Sequence, residues 1–75
     1  MKACVLVRTE PGKYGAIARQ IAKLQGVKVV FPVYGRTDVV AAVEAKDVKA
    51  LSKLSRSISN VKGVLATETL VGLEV

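Results

Sequence analysis

Apolar residues follow two different patterns along the first third of this chain, a nearly continuous run and then a helical spacing. A nearly continuous apolar run within residues 2–8 predicts a strand that is buried on both faces. Proline and glycine at positions 11–12 then predict a turn. Residues 13–25 carry apolar side chains at helical spacing, which predicts a first helix capped by Gly26. The apolar positions of this helix are Ile17, Ile21 and Leu24.

The middle of the chain predicts a β-hairpin. Residues 27–34 alternate as a second strand, and Pro32 indicates a sheet edge or a bulge because it has no N–H to donate. A short polar turn at residues 35–37 leads into a third strand at residues 38–45, which is apolar on both faces. One face of the second strand is predicted to carry Val27, Val29, Phe31 and Val33.

The last part of the chain predicts a second helix and a fourth strand. Asp47 fits the N-cap of the helix, because its side chain can accept a hydrogen bond from a backbone N–H of the first turn. Residues 61–75 alternate as the fourth strand, with an apolar stripe at Val71, Leu73 and Val75. The buried stripe of the helix is predicted to be Val48, Leu51, Leu54 and Ile58.

The order βαββαβ predicts a ferredoxin-like α+β fold, with a four-stranded antiparallel sheet and two helices on one face. The first and third strands should be central, because both are apolar on two sides, and the second and fourth should be edges. Two helices cover only one sheet face. The other face keeps apolar side chains, so we expect a sheet-to-sheet dimer.

Composition limits the class of protein. Seventy-five residues, half of them hydrophobic, make one packed domain over residues 1–75. No apolar run is long enough to span a membrane, and the N-terminus does not resemble a signal peptide, so we expect a cytoplasmic protein without a membrane partner. Cys4 lies within an apolar run and is predicted to be a small buried residue.

The residue types that catalysis needs are scarce. The chain has no histidine, and its one cysteine has no imidazole to activate it. Cys/His clusters and glycine-rich phosphate motifs are absent from the sequence, so we expect no metal, no cofactor and no enzyme activity. The formal net charge of +6 leaves a nucleic-acid-binding ferredoxin-like domain as an alternative. Against it, the first and third strands lack the aromatic residues on which RNA-binding sheets stack bases.

One short segment, residues 34–38, concentrates polar chemistry between two apolar runs. Gly35 can adopt a positive φ, Arg36 can pair with a carboxylate, and Asp38 can accept hydrogen bonds from an ammonium group. A plainer interpretation is that Asp38 closes the hairpin turn and that Arg36 is a solvated cation. Thr67 and Thr69 share one face of the fourth strand, where threonine is also an ordinary strand residue.

These residues, in this order, resemble the effector-binding domain (the RAM domain) of the Lrp/AsnC regulators. The segments that carry the resemblance are Tyr34-Gly35-Arg36-Thr37-Asp38, Asp47 with Leu51 and Leu54, Val61-Lys62-Gly63-Val64, and Thr67-Glu68-Thr69. The resemblance implies an amino-acid-sensing regulatory module that forms dimers and then rings, often octamers, with a small amino acid bound at subunit contacts. Its implied ligand-binding residues are Gly35, Arg36, Thr37, Asp38, Thr67 and Thr69. Arg36 departs from the small or acidic residue expected there.

A second departure is that this sequence starts at the first strand, without the helix-turn-helix domain of the full-length regulators. We therefore interpret it as a stand-alone form of the domain and expect no direct DNA binding. It could co-assemble with full-length Lrp/AsnC regulators. The remaining alternative is a structural assembly subunit that binds no ligand.

Overall fold

A computed structural model describes residues 1–73 of the chain. Its elements follow the order βαββαβ, as predicted. The last two residues of the predicted fourth strand, 74 and 75, lie outside the described residues. The elements are β1 (Lys2–Thr9), α1 (Tyr14–Ala22), β2 (Val27–Pro32), β3 (Val39–Glu44), α2 (Val48–Ser59) and β4 (Val64–Val71).

The four strands form one sheet in the order β2-β3-β1-β4, and each neighbouring pair is antiparallel. This confirms that the two strands with apolar residues on both faces are central and that β2 and β4 are edges. Because β1 and β3 are antiparallel, the last residues of β1 and the first residues of β3 lie at the same end of the sheet. The turn after β1 and the loop before β3 therefore meet there.

Helix α1 is shorter than predicted. It ends at Ala22, because the N–H groups of Lys23 and Leu24 bond to carbonyls three residues earlier, at 3.2 and 3.0 Å. Such tight bonds satisfy the last carbonyls of a helix without a glycine cap. Gly26 is therefore not the cap that the sequence predicted; it lies in the turn that leads into β2. Ile17 and Ile21 are buried against the sheet, as their spacing predicted.

Helix α2 begins where the sequence predicted. The Asp47 side chain accepts a hydrogen bond from the N–H of Ala50 at 2.8 Å, which satisfies one of the free donors at the helix start. Three of the four predicted apolar positions are buried, whereas Val48 is 64% exposed. Val48 is the first helical residue and points away from the sheet, so its assignment to the buried stripe was wrong. The buried residues of α2 are Leu51, Leu54 and Ile58.

Strand β2 contains a register shift that changes which side chains face the helices. Val27 pairs with the buried Val43, but Val29 pairs with Ala42 on the opposite face. The bulge inserts an extra residue, so Val27 faces the helices whereas Val29 and Phe31 face away. The predicted single face for the four alternating residues of this strand is therefore wrong at Val27.

The sheet face without helices, called the open face below, is largely apolar. Cys4 is exposed on it, contrary to the prediction that it is buried, because Ala3 and Val5 take the helix side of β1. The apolar residues that β4 contributes to this face are Ala66 and Leu70, since Val71 pairs with Ala3 on the helix side. The apolar residues of the open face are Cys4, Leu6, Val29, Phe31, Val40, Ala42, Ala66 and Leu70.

Candidate ligand site

The loop between β2 and β3 is held at both ends and open in the middle. Val33 N–H donates to the Asp38 carbonyl at 2.9 Å and closes the loop at its base. Within the described chain, no backbone hydrogen bond is recorded from the N–H groups of residues 34–37. Gly35 has a φ of +132°, a conformation that favours glycine, and a Cβ there would meet nothing within 4 Å. The loop therefore presents unpaired backbone donors to the surface.

Asp38 is hydrogen-bonded to the end of β1 through its backbone and its side chain. Its N–H donates to the Val7 carbonyl at 2.9 Å, and its Oδ2 accepts from Thr9 N–H at 2.7 Å. The side chain therefore joins β3 to β1 and does not close its own hairpin. The second carboxylate oxygen, Oδ1, has no recorded partner among residues 1–73. One oxygen of Asp38 is structural, and the other is available to a ligand.

A cleft of about 460 Å³ lies beside this loop, which falls in the size range of small-molecule sites. Gly35 and Asp38 both line it, as do neighbouring loop residues and Tyr14, the first residue of α1. Sequence reasoning missed Tyr14. The predicted topology places Tyr14 near the loop, since α1 starts just after the end of β1, at the end of the sheet where the loop lies. The lining residues are Tyr14, Pro32, Val33, Tyr34, Gly35 and Asp38.

The other predicted site residues lie elsewhere. Thr37 and Thr67 line a separate cleft of about 200 Å³, together with residues of the open face. Arg36 is exposed and lines neither cleft. Thr69 lies under α2. Within one chain, the six predicted residues are thus divided between two clefts, the solvent and the contact between α2 and β4.

The two threonines of β4 form side-chain hydrogen bonds with serines of α2. Thr69 Oγ1 lies 2.9 Å from Ser55 Oγ, and Thr67 Oγ1 lies 2.9 Å from Ser59 Oγ. Four residues of helix span about 6 Å, and two residues of strand span nearly the same length. The two hydroxyl pairs therefore match in spacing and hold α2 along β4. This contact gives both threonines a structural role in the single chain.

The described part of the chain offers little besides recognition chemistry. Among residues 1–73, no three histidine, cysteine or acidic side chains are grouped closely enough to hold a metal ion. Neither of the two described helices is long and apolar enough to cross a membrane. What the loop cleft offers is a carboxylate oxygen, backbone N–H groups and a tyrosine ring. These groups suit a small molecule that carries both a positive and a negative charge.

The order of the elements and of the strands in the sheet defines a ferredoxin-like fold. A sequence profile of the Lrp/AsnC ligand binding domain matches residues 2–75. The chain therefore belongs to this family, which confirms the resemblance of its sequence motifs. The family is a regulatory ligand-binding domain and not an enzyme domain.

Relatives and solved structures agree with this assignment. The chain is 30% identical to the HTH-type transcriptional regulator LysM of Sulfurisphaera tokodaii, over the whole chain and 54% of that protein. It is 35% identical to a homocitrate synthase of the same organism, over 99% of the chain but 16% of the enzyme. The crystal structure of TTHA0845 from Thermus thermophilus superposes with a TM-score of 0.92 at 36% identity, over 99% of this chain and 94% of that one.

The chain spans about half the length of the curated regulator it matches and a small part of the synthase. The same fold is found in a feast or famine regulatory protein of M. tuberculosis that was solved in complex with L-methionine, with a TM-score of 0.76 at 22% identity. That structure covers 99% of this chain, and this chain covers 50% of it. At this identity the likeness concerns the fold.

Proposed function

We propose that this chain is an oligomeric amino-acid-sensing regulatory module. The observation that carries the proposal is the loop cleft, which brings a free oxygen of Asp38 beside unpaired backbone N–H groups in a domain of the Lrp/AsnC ligand-binding family. The M. tuberculosis protein, which shares the fold and was solved with an amino acid, supports this class of ligand.

Each end of an amino acid has a matching group in the loop cleft. Asp38 Oδ1 accepts from the ammonium group, and the N–H groups of Tyr34 and Gly35, which line the cleft, donate to the carboxylate. Tyr14 and the backbone at Gly35 form walls for the side chain of the ligand. Arg36 is exposed on the same loop and is placed to add a charged contact to an acidic ligand.

A neighbouring copy completes the site. Tyr34 is fully exposed at the border of the cleft, so its ring is available to another subunit. The cleft is open to solvent, and a bound amino acid needs more of its surface covered than one chain supplies. Thr37 and Thr67, which line their own cleft nearby, are the remaining proposed contacts to the ligand from such an assembly. In this assembly Thr69 keeps its bond to α2.

The open face is the proposed dimer surface. Phe31 is 46% exposed and Leu70 is 48% exposed on it, at opposite edges of the sheet. Apolar patches of this kind on a small domain are typically covered by another chain. Dimers then associate into a larger ring such as an octamer, or with full-length Lrp/AsnC regulators.

The dimer is tested with Leu70→Glu, which places a charge in the open face. Analytical ultracentrifugation should show a dimer or larger species for the native chain and a monomer for the variant. The matched control is Val48→Glu, which changes an exposed aliphatic residue of α2 and should leave the assembly intact. A native chain that sediments as a monomer at micromolar concentration would contradict the proposal.

Ligand binding is tested by calorimetry and thermal melting against the twenty amino acids. A ligand present at about a hundred times its dissociation constant should stabilise the protein by about 2.7 kcal/mol, a shift of roughly 10 °C or more for a domain of this size. Asp38→Asn should weaken that binding, whereas Glu44→Gln, at the far end of β3, should not. If the native chain gives no heat and no shift with any amino acid at millimolar concentration, the structural-subunit alternative replaces this proposal.

A further inference from the structure

The two helices carry no acidic residue. Their exposed polar positions hold Arg19 on α1 and Lys49, Lys53 and Arg56 on α2, and neither helix sequence contains aspartate or glutamate. The three cations of α2 are spaced four and three residues apart, so they lie on one side of the helix at successive turns. The helix layer therefore presents a row of unopposed positive charge to solvent.

The loops that flank the helices extend this charge. Each adds an exposed lysine, and two exposed acids, Glu10 and Asp47, are interspersed. Asp47 already accepts a hydrogen bond from the start of α2, so its carboxylate is partly neutralised by the helix end. We call this set the helix-side basic surface. Its cations are Lys13, Arg19, Lys23, Lys46, Lys49, Lys53, Arg56 and Lys62.

This surface accounts for the net charge of the chain. It holds eight cations and two acids, a net +6, which equals the formal net charge of the whole sequence. Among the other described residues, four cations stand beside three acids. These cations are Lys2, Arg8, Lys28 and Arg36, and the acids are Asp38, Glu44 and Glu68. Most of the net positive charge of the described chain is therefore on its helix side.

We propose that the helix-side basic surface binds the phosphate backbone of nucleic acid without reading its sequence, which replaces the expectation from the sequence that the chain does not bind DNA directly. Lysine, arginine and serine side chains are the groups that contact phosphates, and α2 carries exposed Ser52 and Ser57 among its three cations. Neighbouring cations one helical turn apart can contact successive phosphates of one strand. This surface is opposite to the open face, so binding does not require the aromatic sheet that RNA-recognition domains use.

An acidic protein is the less suitable partner for this surface. Protein interfaces depend on buried apolar or aromatic anchors with a polar rim. Within α1 and α2, the exposed large apolar side chains are Tyr14, which lines the loop cleft, and Val48. A surface of cations and hydroxyls with so few anchors suits the dense, regular charge of a nucleic acid better.

The test uses a fluorescein-labelled duplex of about 20 bp and mixed sequence, titrated by fluorescence anisotropy at about 50–200 mM NaCl. We expect micromolar binding at the low end of this range and a log–log salt slope of about −3 or steeper, the value for three or more neutralised phosphates. The variant Lys49→Gln/Lys53→Gln/Arg56→Gln should lose about tenfold or more in affinity at low salt and flatten the slope by about 3. Circular dichroism checks that the variant is folded.

The matched control removes one lysine and two arginines outside this surface, as Lys2→Gln/Arg8→Gln/Arg36→Gln. Lys28 is kept because it lines the same cleft as Lys46 and Lys53. It should retain affinity within about threefold, since nonspecific binding depends on the charges at the contact. Equal losses in both triple variants would overturn the assignment to the helix side. So would the absence of binding at about 100 µM protein in low salt. Displacement of the duplex by poly-L-glutamate as efficiently as by unlabelled duplex would replace the nucleic acid with an acidic polypeptide.

Discussion

Removing the Asp38 carboxylate should destabilise the domain before any ligand is considered. Asp38 Oδ2 accepts from Thr9 N–H at 2.7 Å, and Thr9 is only 7% exposed. In Asp38→Ala this N–H loses its acceptor at a site where little water reaches it. A hydrogen bond to a charged group contributes about 1.5–3 kcal/mol, and a buried unpaired donor costs a similar amount. We therefore expect a loss of about 2 kcal/mol, or roughly 8–16 °C in Tm.

Asp38→Asn is the informative companion variant. Its amide oxygen can still accept from Thr9 N–H, so the loss should be about 1 kcal/mol or less. Urea unfolding at one fixed protein concentration measures both variants, since assembly would otherwise make stability depend on concentration. Hydrogen exchange adds a local readout, because the Thr9 amide should lose protection in the alanine variant and retain it in the asparagine variant.

Equal stability losses in the two variants would refute this reasoning, as would a loss below about 0.5 kcal/mol for Asp38→Ala, which is within the range of ordinary surface substitutions. The outcome also decides how the ligand site is tested. If alanine removes a structural bond, reduced ligand binding in that variant has two explanations. Asparagine at position 38 removes the charge proposed to hold an ammonium group while keeping the bond to β1, so it separates the two roles.

Three further substitutions test local features of the fold by urea unfolding. Asp47→Ala removes the side-chain cap of α2 and should cost about 1 kcal/mol, whereas Asp47→Asn should cost much less, because asparagine also caps helices. Gly63→Ala should destabilise more than Gly12→Ala: both glycines have positive φ, but a Cβ at Gly63 would meet an isoleucine methyl of α1 at 2.9 Å whereas one at Gly12 meets nothing within 4 Å. Equal losses of stability in the two variants would mean that backbone strain at positive φ, and not the contact with the isoleucine, determines the loss. A double-mutant cycle of Ser55→Ala and Thr69→Val should give a coupling of about 0.5–1.5 kcal/mol, and additive effects would show that their 2.9 Å hydroxyl contact contributes nothing.

The fold was predictable because its sequence signals agree with one another. Two strands with apolar residues on both sides had to be central, and two helical stripes had to cover one face of the sheet. Pro32 indicated an edge or a bulge in β2, but the position of the bulge after Val27 was not predictable, because one extra residue in an edge strand leaves the apolar alternation of the sequence unchanged while moving side chains between faces. Cys4 was misplaced for a related reason: a continuous apolar run does not reveal that one of its faces lacks a covering layer in the single chain.

The candidate site was predicted only in part. The polar density of residues 34–38 located the loop, but the partner of Asp38 is Thr9, twenty-nine residues earlier, and only the strand register brings them together. Thr67 and Thr69 could have been assigned to the contact with α2 from the spacing of Ser55 and Ser59, which matches theirs. Only a neighbouring chain could bring the divided residues together, and the pattern of apolar and polar residues does not show how two chains are arranged.

The proposed dimer surface and the helix-side basic surface lie on opposite sides of the sheet, which leads to a last prediction. Sheets that pack through their open faces leave the two helix-side basic surfaces pointing in opposite directions, so one short straight duplex can contact only one of them. Leu70→Glu, which should produce a monomer, is therefore expected to bind a duplex of about 20 bp within about threefold of the native affinity and with the same salt slope, because the same phosphates are neutralised. Fluorescence anisotropy with the same duplex measures this. A large loss of affinity in the monomer would mean that both copies contact one duplex, an arrangement that face-to-face sheet packing does not allow.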